Sequence, residues 1–127
     1  MRFAYTIAYV ADVEATLAFY ERAFGVKRRF LHESGAYGEL ETGATALAFA
    51  DEKMAAGSAS FRRNRKDDEA PGVEVGFVTD DVEKAYAHAL SAGAVAVLGP
   101  TTKPWGQVVS YVRDLNGFLV EICTAVG

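Results

Sequence analysis

The chain repeats one pattern of secondary structure. Asp12-Val13-Glu14 lies 69 positions before Asp81-Val82-Glu83, and each Asp follows a strand pattern and precedes a helix pattern. Asp is a favoured residue at a helix N-terminus, and Gly25 and Gly93 stand where each helix is predicted to end. Because solenoid repeats have periods of about 20–50 residues, this longer period predicts a duplicated module.

Each copy is predicted to contain a strand, a helix and three further strands, because alternating apolar runs are separated by Gly-containing turns. In the first copy the elements are Phe3–Val10, Val13–Phe24, Val26–Glu33, Tyr37–Glu41 and Thr45–Ala50. In the second copy they are Val73–Thr79, Val82–Ala92, Val95–Leu98, Gln107–Arg113 and Phe118–Thr124. The dipeptide Asn116-Gly117 is the strongest hairpin signal. The predicted fold class is α+β, with two βαβββ modules.

The two copies are joined by a segment with little to bury. We predict one domain over residues 1–127, with a first module at about 1–56, a connector at about 57–72 and a second module at about 73–127. The basic run Arg62–Lys66 precedes the acidic run Asp67–Glu69, which is typical of a solvated and mobile connector. The alternative is that the basic run clamps an acidic ligand such as glutathione.

Charge and composition restrict the partners. Thirteen Lys and Arg residues against 17 Asp and Glu give a net charge of −4, which argues against nucleic acid or an anionic membrane as a partner. No window approaches the roughly 18 apolar residues of a membrane span, and the first residues lack the apolar stretch of a signal peptide. The one cysteine, Cys123, cannot form an internal disulfide. These features predict a soluble cytoplasmic protein.

The most specific motifs lie in the second copy. They are Lys103-Pro104-Trp105-Gly106-Gln107 and the run YVRDLNGFLVEI from Tyr111 to Ile122. With Val10-Ala11-Asp12-Val13 and Phe24-Gly25 of the first copy, they resemble the vicinal oxygen chelate superfamily, which includes glyoxalase I, bleomycin-resistance proteins and extradiol dioxygenases. The resemblance covers nearly the whole chain and implies that the modules form a half-barrel cleft.

In metal-dependent members of that superfamily, the first and last strands of each module supply four metal ligands. The resemblance assigns Tyr5, Glu74 and Glu121 to three of these positions and leaves the fourth within Ala46–Ala48. A neutral phenol is a poor metal ligand and Ala46–Ala48 has no side-chain donor, whereas both carboxylates are competent ligands. We therefore predict Glu74 and Glu121 as catalytic candidates and no cofactor. A divalent metal held by these two carboxylates is the alternative.

Five further residues are predicted to contact a ligand. If Tyr5 and Tyr111 face the cleft, alternation along a strand turns Tyr9 and Gln107 toward it as well. With Trp105 these residues would wall an aromatic and acidic pocket, suited to a flat or cationic organic molecule. Trp105 could instead serve as a packing anchor for its loop.

The resemblance and the missing ligands together predict a protein that binds a small organic molecule. A divalent-metal-dependent lyase, isomerase or dioxygenase that uses Glu74 and Glu121 is the alternative, and so is a metal-free enzyme with one of them as general base. Whether the protein is an enzyme stays open. A homodimer is also predicted, because Phe3–Val10 has no charge or proline to protect an open strand edge.

Overall fold

The computed structural model describes residues 1–126, in which there are eight strands and three helices. These residues divide into two compact units, the first covering Met1–Asn64 and the second beginning at Arg65. The boundary lies inside the predicted connector. The predicted second module extends to Gly127, which lies outside the described residues.

The first unit contains one four-stranded sheet and two helices. Its elements are β1 (Tyr5–Val10), α1 (Val13–Phe24), β2 (Arg28–Leu31), β3 (Tyr37–Leu40), β4 (Ala46–Asp51) and α2 (Glu52–Ala55). The strand order is β1-β4-β3-β2, with β1 parallel to β4 and the other pairs antiparallel. Helix α1 covers one face of the sheet, where the ring of Tyr20 lies 5.0 Å from that of Phe49.

Helix α1 begins and ends at the residues that the sequence predicts. The Asp12 carboxylate accepts a hydrogen bond from the Ala15 N–H at 2.9 Å, which satisfies one of the free donors of the first turn. Gly25 adopts a φ of 68°, a left-handed conformation that favours glycine, and its N–H donates to the Glu21 carbonyl. No helix within residues 1–126 combines the length and the apolar character needed to cross a membrane.

The second unit repeats this arrangement. Its elements are β5 (Glu74–Val78), α3 (Val82–Ser91), β6 (Val95–Thr102), β7 (Val108–Arg113) and β8 (Leu119–Cys123). The strand order is β5-β8-β7-β6, which matches the order of the first sheet position by position. The predicted α+β class with two βαβββ modules is confirmed.

Two local features differ from the sequence predictions. Strand β6 continues past Leu98 to Thr102, because two register shifts against β7 accommodate the segment Gly99-Pro100. The Asn116-Gly117 turn is wider than a two-residue hairpin. The buried carboxylate of Asp114 organises it by accepting hydrogen bonds from the N–H groups of Asn116 and Phe118.

The part of the connector that precedes Arg65 packs on the first unit more closely than its charge pattern predicts. The Glu52 carboxylate is buried and pairs with Arg63 at 3.1 Å, while the Arg63 side chain stays 43% exposed to solvent. The Asn64 side chain donates a hydrogen bond to the Tyr9 carbonyl at 3.0 Å. The ring of Phe61 lies 4.6 Å from the ring of Tyr9. The first half of the connector is therefore held against β1 and α2.

Candidate functional site

In each unit, the long helix (α1 or α3) packs on one face of the sheet. We call the other face, which this helix does not cover, the helix-free face. On the second sheet this face carries Glu74 and Gly76 from β5, Glu121 and Cys123 from β8, and Tyr111 from β7. The strand register places Gly76 beside Glu121, and Glu121 beside Tyr111. The predicted residues Glu74, Glu121 and Tyr111 therefore share one face.

Tyr111 and Glu121 are directly bonded. The phenolic hydroxyl of Tyr111 donates a hydrogen bond of 2.7 Å to Glu121 Oε2. This bond, together with burial, raises the pKa of Tyr111 to about 12. Tyr111 is consequently protonated at neutral pH and acts as a hydrogen-bond donor.

Glu121 also affects the pKa values of its neighbours Glu74 and Cys123. Burial raises the pKa of Glu74, and the negative charge of Glu121 raises it further. Burial likewise raises the pKa of the Cys123 thiol to about 11, with Glu121 as the second cause. A thiol with so high a pKa stays protonated at neutral pH, so Cys123 is not an activated nucleophile.

Trp105 and Gln107 form a short chain of hydrogen bonds at the start of β7. The Trp105 indole N–H donates to the Gln107 side-chain oxygen at 2.9 Å, and the Gln107 amide N–H donates to the Thr124 carbonyl at 2.9 Å. The Trp105 residue is 64% exposed. Its ring is therefore held by one polar bond and leaves much of its apolar surface uncovered.

The other predicted ligand contacts belong to the first unit. Tyr5 is 54% exposed on the helix-free face of the first sheet, and Tyr9 lies on the same face beneath the ring of Phe61. This face also carries an acid, Glu39, that was not predicted from the sequence. Glu39 is buried there and accepts hydrogen bonds from the Tyr37 hydroxyl at 2.7 Å and from Arg29 at 3.2 Å.

A signal for Glu39 exists in the alternation of Tyr37-Gly38-Glu39. A Cβ atom on Gly38 would lie 2.6 Å from the Leu17 side chain of α1, so Gly38 faces the helix and its two neighbours face away from it. Alternation was applied to β7, which gave Tyr111 and Gln107, but not to β3, the equivalent strand of the first module.

The register identifies the fourth ligand position implied by the resemblance. Ile7 of β1 and Gly76 of β5 are equivalent positions of the two modules. Gly76 lies beside Glu121 and Ile7 lies beside Ala48, so Ala48 is the residue equivalent to Glu121. Within residues 1–126, no group of three or more His, Cys, Asp and Glu side chains could hold a metal ion. The donors at the four positions, two carboxylates and one phenol, do not fit a tightly bound divalent metal.

The two histidines lie away from these positions. His32 follows β2, and its Nδ1 lies 2.7 Å from the Ser34 hydroxyl. His88 lies in the last turn of α3. Neither ring adds a donor to the set formed by Glu74 and Glu121.

The fold and this pair of βαβββ units define a known family. The model of the Glyoxalase/Bleomycin resistance protein/Dioxygenase superfamily matches residues 2–122. The chain belongs to this superfamily.

Solved structures show the same fold. A glyoxalase-related enzyme from Fulvimarina pelagi is 18% identical with a TM-score of 0.83, covering 98% of this chain and 88% of that chain. A glyoxalase/bleomycin resistance protein/dioxygenase family enzyme from Burkholderia phytofirmans PsJN is 20% identical with a TM-score of 0.79, covering 98% of each chain. TioX from Micromonospora sp. ML1 is 20% identical with a TM-score of 0.72, also covering 98% of each chain. A comparison with curated proteins finds no match.

Proposed function

We propose that the helix-free face of the second sheet binds a small organic cation, and that it does so without a tightly bound metal. The observation that carries the proposal is the pair of carboxylates Glu74 and Glu121. They share this face, and neither forms an ion pair with a described lysine or arginine. A cationic ligand would supply the missing positive charge.

The acids of the first unit provide the contrast. Arg28 pairs with two of them, Arg29 with two more and Arg63 with one, and these acids are Glu14, Glu21, Glu39, Glu41 and Glu52. Other acids without an arginine partner, such as Asp80 and Glu83, are exposed outside the strands, so Glu74 and Glu121 are distinguished by lying together on one sheet face beside Tyr111.

The arginine on the same face as Glu121 is already engaged. Arg113 lies two residues after Tyr111 on β7, but its guanidinium donates to the carbonyls of Gly117 and Asp68, at 2.8 and 2.6 Å. It holds the loop before β8 and the second half of the connector. This engagement leaves the two carboxylates for a ligand.

Aromatic side chains add to the case for a cation with a flat organic group. The faces of aromatic rings attract cations, and Tyr111 and the exposed Trp105 belong to the same unit as the carboxylates. Superfamily membership agrees with small-molecule binding as the general role.

The test compares two probes with the same ring and opposite charge. Calorimetry with 1-naphthylmethylammonium and 1-naphthoate should give measurable affinity for the ammonium only. Glu121→Gln should weaken this binding about tenfold or more, the effect of one charged hydrogen bond. The control Glu33→Gln makes the same charge change at an exposed residue outside the two faces and should have no effect. Preferential binding of the naphthoate would contradict the proposal.

We also propose that the chain forms a homodimer. Strand β1 lies at the edge of its sheet, has no charge or proline, and exposes Tyr5 and Ile7. Light scattering at micromolar concentration should give the mass of two chains, and Ile7→Lys should reduce it to one. The mass of one chain across a wide dilution range of the wild type would contradict the dimer.

A further inference from the structure

We propose that Gly76 and Tyr111 together select the kind of cation that the second sheet binds. The preferred group is a protonated amine that donates a single hydrogen bond to Glu121 Oε1. A planar amidinium or guanidinium, which needs both oxygens of a carboxylate, is disfavoured. This inference rests on the proposed function and specifies its ligand class.

Gly76 leaves a notch beside the Glu121 carboxylate. A Cβ atom at this position would lie 3.6 Å from Glu121 Oε1, so any larger side chain would begin to cover that oxygen. The backbone of Gly76 does not have a positive φ, so its conformation does not call for glycine. Glycine inside a strand often marks a place where another molecule approaches closely. The equivalent residue of the first sheet is Ile7, which carries a branched side chain where Gly76 has none.

Tyr111 engages the other oxygen of the same carboxylate. Its hydroxyl donates to Glu121 Oε2 at 2.7 Å, whereas Oε1 receives no hydroxyl or N–H donor from the described residues. The Cys123 thiol, a weak donor, also interacts with this carboxylate. A forked amidinium or guanidinium makes two parallel N–H···O bonds, one to each oxygen, and would have to compete with Tyr111. An ammonium is a compact charge that can bond to Oε1 alone.

The notch has an acid on one side and an apolar side chain on the other. Glu74 and Val78 lie two residues before and after Gly76 on the same face of β5, each about 6.6 Å away along the strand. Glu74 has no hydrogen-bond or ion-pair partner among the described residues, and Val78 is exposed. An ammonium in the notch would lie near two carboxylates, with an apolar surface for its organic group.

The experiment uses benzylammonium and benzamidinium, which share a ring and a charge but differ in the geometry of their donors. Calorimetry on the wild-type chain should give about tenfold tighter binding of benzylammonium. Tyr111→Phe frees Oε2 and should bring the two affinities close to each other, mainly by improving benzamidinium binding. Gly76→Val should weaken benzylammonium binding about tenfold, because the added methyl groups cover Oε1.

A matched control separates the notch from a general effect of adding valine. A Cβ atom on Gly72 would meet nothing within 4 Å, so Gly72→Val should leave both affinities unchanged. Thermal melting and near-ultraviolet circular dichroism establish that each variant folds. If Gly76→Val does not fold, Gly76→Ala gives the same test with a smaller expected loss.

The outcomes separate this inference from the proposed function. If Glu121→Gln abolishes benzylammonium binding while the Gly76 and Tyr111 variants keep the wild-type ratio of affinities, the inference is overturned and the cation site stands. If Glu121→Gln changes neither affinity, or the wild type binds neither probe, the proposed function fails and the inference fails with it.

Discussion

The hydroxyl of Tyr111 donates a 2.7 Å hydrogen bond to Glu121 across the β7–β8 pair. The first sheet has the reverse arrangement at the equivalent pair, where the acid Glu39 lies on β3 beside Ala48 of β4. Glu39 is buried and bonded to Arg29, whereas Glu121 has no cationic partner in the described chain. A duplicated module thus carries a neutralised acid in one copy and an uncompensated acid in the other.

The Tyr37–Glu39 bond of the first sheet should contribute to stability. Tyr37→Phe removes a hydrogen-bond donor from a buried carboxylate and should lower the free energy of unfolding by about 1–2 kcal/mol. Urea denaturation measures this change. Tyr5→Phe is the matched control, because Tyr5 lies exposed on the same face, and it should change stability by much less. Equal effects of the two substitutions would contradict a structural role for the Tyr37 hydroxyl.

Glu74 should make the protein less stable as the pH rises. Its pKa in the folded chain is raised, by burial first and by Glu121 second, so ionisation is harder in the folded state than in the unfolded state. The penalty is absent below the ordinary carboxyl pKa and grows until the pH exceeds the raised pKa. Glu74→Gln should therefore increase the free energy of unfolding at pH 7 and have little effect at pH 3. A stabilisation that is larger at pH 3 than at pH 7 would have the wrong sign for this account.

The fold follows from local sequence signals, whereas the pairing of each acid with an arginine depends on residues that are distant in the sequence. The Asp12 and Asp81 caps and Gly25 mark the helices within a few residues of sequence, so the βαβββ repeat could be predicted. The pairing of Glu39 with Arg29 depends on the register between β2 and β3, which includes an irregularity after Arg28. No local pattern specifies that register.

The notch at Gly76 was missed for a similar reason. In the sequence Gly76 is one glycine inside a short apolar strand, with no sign of what lies beside it. Its significance comes from the parallel pairing with β8, which brings Glu121 next to it from 45 positions away in the sequence. Glu74 and Glu121 themselves were found through the resemblance.

Metal analysis tests whether Glu74 and Glu121 act without a bound metal ion. Protein dialysed after exposure to nickel, zinc or manganese should retain far less than one ion per chain. The reason is that Glu74 and Glu121 are the only carboxylates at the four ligand positions, and two carboxylates are too few to hold a divalent ion tightly. Mass spectrometry of the dialysed sample measures this content. One ion per chain in the wild type, lost in Glu121→Gln, would instead favour the metal-dependent lyase, isomerase or dioxygenase.

Ligand binding should change the fluorescence of Trp105, the one tryptophan of the chain. Its exposed ring is tethered to Gln107, close to the start of β7, so a cation with an aromatic group can contact it. Emission should shift or be quenched as 1-naphthylmethylammonium is added, and Trp105→Phe should remove the signal. Unchanged emission at saturation, with binding verified by calorimetry on the same sample, would make Trp105 a packing residue of its loop.

The most direct test of the central claim is a crystal structure of the protein with 1-naphthylmethylammonium bound. We expect the ammonium nitrogen within about 2.7–3.2 Å of Glu121 Oε1, over Gly76, with the Tyr111 hydroxyl still bonded to Oε2. A nitrogen bound elsewhere on the chain, or a metal ion coordinated by Glu121, would contradict the claim that the second sheet is a cation-binding face.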